Sequence, residues 1–312
     1  MKPEDTWPAR NALVWVVRMI RKNEVVMKLS MPRSWPRTTR LSLIIGISVV
    51  ALVGLILAPR VPLGPHYHDF ADRRTMFGIP NAQDVLSNIL FVIVGVWGFV
   101  WLLGKSSRAA FLDQRERIPY QLFFLGVALT GIGSFWYHLA PSNFRLPWDL
   151  LPMTCSFLSI VVAMFMERVN TRIGLVGLIP LLLLGVASVA YWYFSETQGH
   201  GEYKFYLFVQ YFSPVLCALI IGLFPPRYTG MRYLVLVFCL FVLAKLLESY
   251  DQQIYSFGGV VSGHALKHAV AGVACYWILR MLEVRHAIFQ KQSRGKQPSS
   301  EFDVRAAYPA TR

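Results

Sequence analysis

Eight stretches of this chain stay apolar for about as long as a helix needs to cross a bilayer, roughly 20 residues. They run at about 41–58, 85–103, 119–140, 148–167, 173–194, 205–223, 231–249 and 262–283. Within hydrocarbon a backbone satisfies its own N–H and C=O groups only as a helix or a closed barrel. Continuous apolar runs of this length are helical rather than stranded, since strands rarely exceed about ten residues. The expected fold class is therefore an all-α polytopic membrane protein with eight transmembrane helices. Composition agrees: 55% of residues are hydrophobic and 15% charged, against about 25% charged in an average soluble domain. The connections are short and hold the helix breakers: Pro59, Pro62 and Pro65, then Pro141 and Pro147, Gly199 and Gly201, Pro225 and Pro226, Gly258 and Gly259.

Lysine and arginine counts orient the helices. With the N-terminus inside, the inner segments hold 24 of them and the outer loops hold five: Arg60, Arg73, Arg74, Arg145 and Lys204. Cytoplasmic loops carry such an excess, so both termini are expected in the cytoplasm. The net charge of +14 is then a topological signal, and a nucleic-acid partner is not expected. Residues 1–40 carry nine of the basic residues and read as a cytoplasmic or interfacial segment rather than a span or a signal peptide. The polar stretch 285–312 reads as a cytoplasmic tail. The four cysteines, Cys155, Cys217, Cys239 and Cys275, all lie in apolar segments without CxxC spacing. Neither a disulfide framework nor thiolate-bound zinc is expected.

Five polar residues stand out against this background: Ser134 and His138 in GIGSFWYH, Asp149 in LPWDLLPMT, and His264 and His268 in HALKH. Each is costly inside a membrane unless it has a function. On the expected topology all five fall at the outer ends of their spans. His264 and His268, and likewise Ser134 and His138, are four residues apart and share a helix face. An HxxxH pair alone arises often by chance. Three histidines that leave one coordination position open form a catalytic zinc arrangement. Asp149 is the candidate general base and acid, and Ser134 the candidate hydrogen-bond donor to an oxyanion. Lys267 is expected to point away from the His264/His268 face. His66 and His68 are a weaker metal pair, better read as loop residues. Glu248 and Asp251 either line the site entrance or solvate a loop, and the loop is favoured.

These motifs, SFWYHLAPSNFRLPWDLLPMT and SGHALKHAVAG, together with HDFADRRTMFGIPNAQDVLSNILF, resemble the alkaline ceramidase family, especially its bacterial members. That family belongs to a superfamily of seven-helix membrane hydrolases that includes the progestin and adiponectin receptors. The resemblance covers about residues 66–283. It implies a seven-helix hydrolase core at 66–284 and one extra N-terminal transmembrane helix at 41–58. It also implies zinc on His138, His264 and His268, with Ser134 and Asp149 catalytic. The implied reaction is hydrolysis of ceramide, or a related N-acyl lipid, to a fatty acid and an amine. A receptor-like lipid sensor with little turnover is the alternative. Animal members also bind calcium through an acidic N-terminal motif. Here Asp69 and Asp72 match its first acidic positions, Arg73 and Arg74 follow, Asn81 stands in place of a glutamate, and Asp84 is a further oxygen donor. Calcium prefers six to eight oxygen ligands. A weakened calcium site and a solvated loop leading into a helix with Asp84 near its positive end stand as equal readings.

Overall fold

The computed structural model describes residues 35–288, so residues 1–34 and the tail beyond 288 lie outside it. The protein is an all-α polytopic membrane protein. Its helices are α1 (Arg37–Leu57), α2 (Ala82–Leu86), α3 (Ile89–Leu103), α4 (Arg117–Leu139), α5 (Leu146–Arg168), α6 (Thr171–Thr197), α7 (Lys204–Leu223), α8 (Met231–Ser249), α9 (Asp251–Ser256) and α10 (Gly263–Val284). Among the described residues, seven helical segments are long and apolar enough to cross a membrane, with α2 and α3 counted as one. The expected span at 231–249 is present as α8, but it carries Arg232, Lys245 and Glu248 and is not one of the seven.

The expected span at 85–103 begins earlier and is interrupted. Ser87 Oγ and Asn88 Nδ2 both donate to the Asp84 carbonyl, at 3.1 and 2.7 Å. Side chains here take over hydrogen bonding that a regular ladder would supply, and the helix is interrupted between α2 and α3.

α3 packs on α4 and α10, α4 on α5, α5 on α6 and α7, and α8 on α10. α1 lies outside the bundle against α7, and only its Ile44 is buried. Close contacts rest on small residues, as is common where membrane helices meet. A Cβ on Gly133 of α4 would lie 1.9 Å from the Trp148 carbonyl oxygen of α5, and one on Gly263 of α10 would lie 2.3 Å from the Leu247 carbonyl oxygen of α8. Glycine at 133 lets α4 and α5 touch one residue away from Ser134 and Asp149.

The end of the bundle where α4 begins and α5 and α10 finish is closed by ion pairs on two buried carboxylates, Glu167 and Glu116. Arg285 Nη1 donates to Glu167 Oε1 at 2.5 Å, and Tyr120 donates to the same oxygen at 3.0 Å. Arg227 pairs with Glu116 at 2.8 Å, and Tyr228 donates to the other Glu116 oxygen. The Arg285 guanidinium also lies over the rings of Phe111, Tyr120 and Tyr228. Removing one partner of such a pair strands a buried charge, at a cost of about 3–5 kcal/mol. Arg285→Met is accordingly expected to lower the melting temperature in detergent sharply while leaving the distant histidines intact. An unchanged melting temperature would show that the pair is not a structural clasp.

Candidate metal centre

At the opposite end, α4 finishes, α5 starts and α10 starts, and the chemistry-bearing residues meet there. Ser134 and His138 come from the last turns of α4, Asp149 from the first turn of α5, and His264 and His268 from the first two turns of α10. All five are buried. One ring nitrogen from each histidine lies within 4.8 Å of the others. Among the described residues this is the one group of three or more His, Cys, Asp or Glu side chains so gathered.

Three features test whether the trio suits a metal ion. His264 Nε2 and His138 Nε2 are 3.3 Å apart. Two nitrogens bound to a tetrahedral zinc at about 2.0–2.1 Å are themselves separated by about 3.3–3.4 Å. Second, the tautomer of His268 is set from outside. Ser87 Oγ spends its hydrogen on the Asp84 carbonyl, so its 2.9 Å contact with His268 Nδ1 is accepted from the ring. The lone pair of His268 is left on Nε2, free to ligate, which is the usual arrangement behind metal-binding histidines. Third, the Lys267 ammonium stands 3.0 Å from His264 Nε2, and since an ammonium only donates, that nitrogen presents its lone pair. The residues fit a zinc ion.

The supporting contacts explain how α10 is aimed. Ser262 caps the helix by accepting from Ala265 N at 2.9 Å, and it donates to Asp84 Oδ1 at 3.0 Å. Asp251 accepts from His264 N at 2.8 Å and from Ala71 N at 2.9 Å. From the loop before α2, Phe70 lays its ring against those of His138 and His264, with centroids 4.6 and 4.4 Å away. Asn81 donates to the His138 carbonyl at 2.9 Å. The Ser134 hydroxyl lies beside the Asp149 carboxylate. Ser134 Oγ and Asp149 Oδ1 are sealed from solvent, and neither has a hydrogen-bond partner of regular geometry. Orphaned buried polar atoms are rare and are expected where function requires them.

A cavity of about 1430 Å³ runs from these residues down the bundle. Ser134, Asp149, His264 and His268 line one part of it, and Phe123, Val127, Met153, Phe157, Phe238 and Phe241 contribute to its apolar wall. α7 packs on α5, α6 and α1, whereas α8 packs on α10 and α9. The cavity reaches residues of both α7 and α8 between them.

Two sequence expectations need correction. Lys267 does not point away from the histidines. It neighbours His264 at i+3 on the helix, and its flexible stem brings Nζ back to the ring. Asp251 is not a solvated loop residue, because it is 9% exposed and fastens α10 to the loop carrying Phe70. Glu248 likewise lines the cavity and pairs with both Lys245 and Lys267.

The calcium candidates hold separate partners. Asp69 pairs with His66 and Arg73, and the hydrogen bond with His66 holds its half-exposed carboxyl below the usual range. Asp72 pairs with Arg74, Asn81 with the His138 carbonyl, and Asp84 with Ser262. Nor do His66 and His68 converge: His68 spans Tyr137 OH and Asn143 Oδ1 at 2.8 and 2.7 Å.

Ser87 carried no signal in the sequence, since a serine at a helix break 181 residues from His268 looks like any other. Mutating such outer partners of metal ligands typically costs 10–100-fold in metal affinity. Ser87→Ala is expected to fall in that range by chelator competition. An unchanged affinity would remove Ser87 from the site.

Compared with known proteins, the chain matches no family model, no curated protein and no solved structure.

Proposed function

We propose that this protein is a membrane-embedded, zinc-dependent amidase acting on ceramide or a related N-acyl lipid. The observation that carries this reading is the convergence of three buried histidine nitrogens at a large, mostly apolar cavity whose lining also holds the Ser134 hydroxyl and the Asp149 carboxylate. When bound by His138, His264 and His268, a zinc ion supplies Lewis acidity toward water and a carbonyl.

The chain's own residues do the rest. The apolar wall takes the acyl chain. The cavity exceeds the roughly 300–1,000 Å³ of ordinary small-molecule pockets, as a long chain requires. Asp149 removes a proton from water as the water oxygen bonds to the amide carbon. Ser134 donates a hydrogen bond to the oxygen on which charge collects. Asp149 then delivers the proton to the nitrogen as the C–N bond breaks. RCONHR′ and H2O become RCO2H and H2NR′, and Asp149 ends as it began. Phe70 and the loop that carries it cover the histidines and keep bulk water from the reacting atoms. With α8 crossing as an eighth span and the loop charges oriented as in other membrane proteins, both termini face the cytoplasm and the site faces the opposite side.

The test is fatty-acid release from a panel of N-acyl lipids, ceramide included, by the detergent-purified protein, with His264→Ala as control. Release that disappears in the variant supports an amidase. Zinc-loaded protein that binds lipid and releases nothing would favour a lipid sensor.

A further inference from the structure

The proposed reaction leaves three charged side chains of the cavity unexplained. Lys245 and Glu248 on α8 and Lys267 on α10 all line it. Glu248 bridges the two ammonium groups: Oε2 pairs with Lys245, and Oε1 with Lys267 at 3.1 Å. The Lys245 ammonium also lies over the Tyr211 ring, 5.2 Å from its centroid. Two ammonium groups share this one carboxylate as their ion-pair partner, and charges inside an apolar bundle are expensive and mark function.

Lys267 brings its charge to the candidate metal centre. Its ammonium has three donors; one goes to Glu248 and one to His264 Nε2. Once His264 Nε2 ligates a metal, that donor is released, still beside the centre. Asp149 and Asp251 share the cavity lining, but Asp251 spends its oxygens on two backbone N–H groups, and the ion pairs of both lysines go to Glu248 rather than to Asp149. Hydrolysis of a neutral amide gives these donors no permanent partner.

We propose that Lys267, positioned by Glu248 and Lys245, binds an anionic group on the amine half of the substrate. The favoured substrate is then an N-acyl amino acid, with its carboxylate one carbon from the scissile nitrogen, rather than a neutral ceramide. The short distance from Lys267 to His264 Nε2 selects an anion adjacent to the amide over one far along a headgroup. The proposal rests on the amidase reading for its substrate but not for its binding site.

The experiment uses full-length protein in detergent micelles, zinc-loaded and zinc-stripped. It measures binding and hydrolysis of N-oleoylglycine and N-oleoylethanolamine, which differ by a carboxylate in place of a hydroxymethyl group. Expected is binding of N-oleoylglycine at least about tenfold tighter in both preparations, as a charge-assisted hydrogen bond would give. Lys267→Met should erase the difference and Lys267→Arg should keep it, with zinc content and melting temperature reporting that each variant is folded. Glu248→Gln, which keeps the lysine but removes the carboxylate that positions it, provides a second variant that should weaken the preference without erasing it. Equal binding of the two lipids, or a preference that survives Lys267→Met, overturns the proposal even if both are hydrolysed. A Lys267-dependent preference without hydrolysis of either lipid upholds the anion site and defeats the amidase reading alone.

Discussion

His138→Ala is expected to abolish zinc binding and to reduce lipid hydrolysis by about 10³-fold or more. The wild-type protein should purify with one zinc per chain. His138 is fully buried between His264 and His268, with ring centroids 4.8 and 5.2 Å from theirs, so no solvent-facing group can replace its nitrogen. Two histidines are too few for a catalytic zinc site, which uses three protein ligands. Loss of a Lewis acid worth several kcal/mol in the transition state corresponds to a drop of this size. Elemental analysis of the purified variant beside a fatty-acid release assay checks both halves. Stoichiometric zinc in His138→Ala would dissolve the centre described above. A metal-free variant with full activity would leave the centre but remove it from the chemistry.

Asp149→Asn separates the metal from the proton chemistry. Asparagine keeps the shape in the first turn of α5, where the tight α4–α5 contact at Gly133 leaves no room for rearrangement, but it cannot shuttle a proton. Zinc content is expected to stay at the wild-type level while turnover falls by about 10²–10⁴-fold, the usual worth of a positioned acid–base group. The loss should appear in kcat more than in KM, because in the proposed reaction Asp149 moves a proton in the transition state rather than holding the acyl chain. Retention of turnover would sink the acid–base assignment and leave the sensor reading as the better account.

The histidine trio was legible before any coordinates because membrane burial makes polar residues conspicuous. His138 and His264 are 126 positions apart, yet loop charges and span direction put them at the same end, and the structure brings their nitrogens within contact. HxxxH spacing worked because one helix turn fixes it. Ser87, Asp251 and Lys267 were missed or misread for the opposite reason. Ser87 acts across 181 positions through a local break in α2–α3, Asp251 reaches two backbone N–H groups in different segments, and Lys267 bends its stem toward a ring at i+3. Helical-wheel geometry places Cβ atoms, not the ends of long side chains.

The amino-acid sequence by itself determined the class of the protein. Long apolar runs leave a backbone in lipid no alternative to helices, and a charged or polar group inside them is too costly to be accidental. Only the tertiary structure decided which neighbours tune those groups. It paired Ser87 with His268, set Lys267 beside His264, divided the four calcium candidates among separate partners, and opened a cavity reaching both α7 and α8. These outcomes depend on helix packing distances such as those at Gly133 and Gly263. They are sub-ångström matters of side chains from distant segments, which hydrophobic periodicity does not encode.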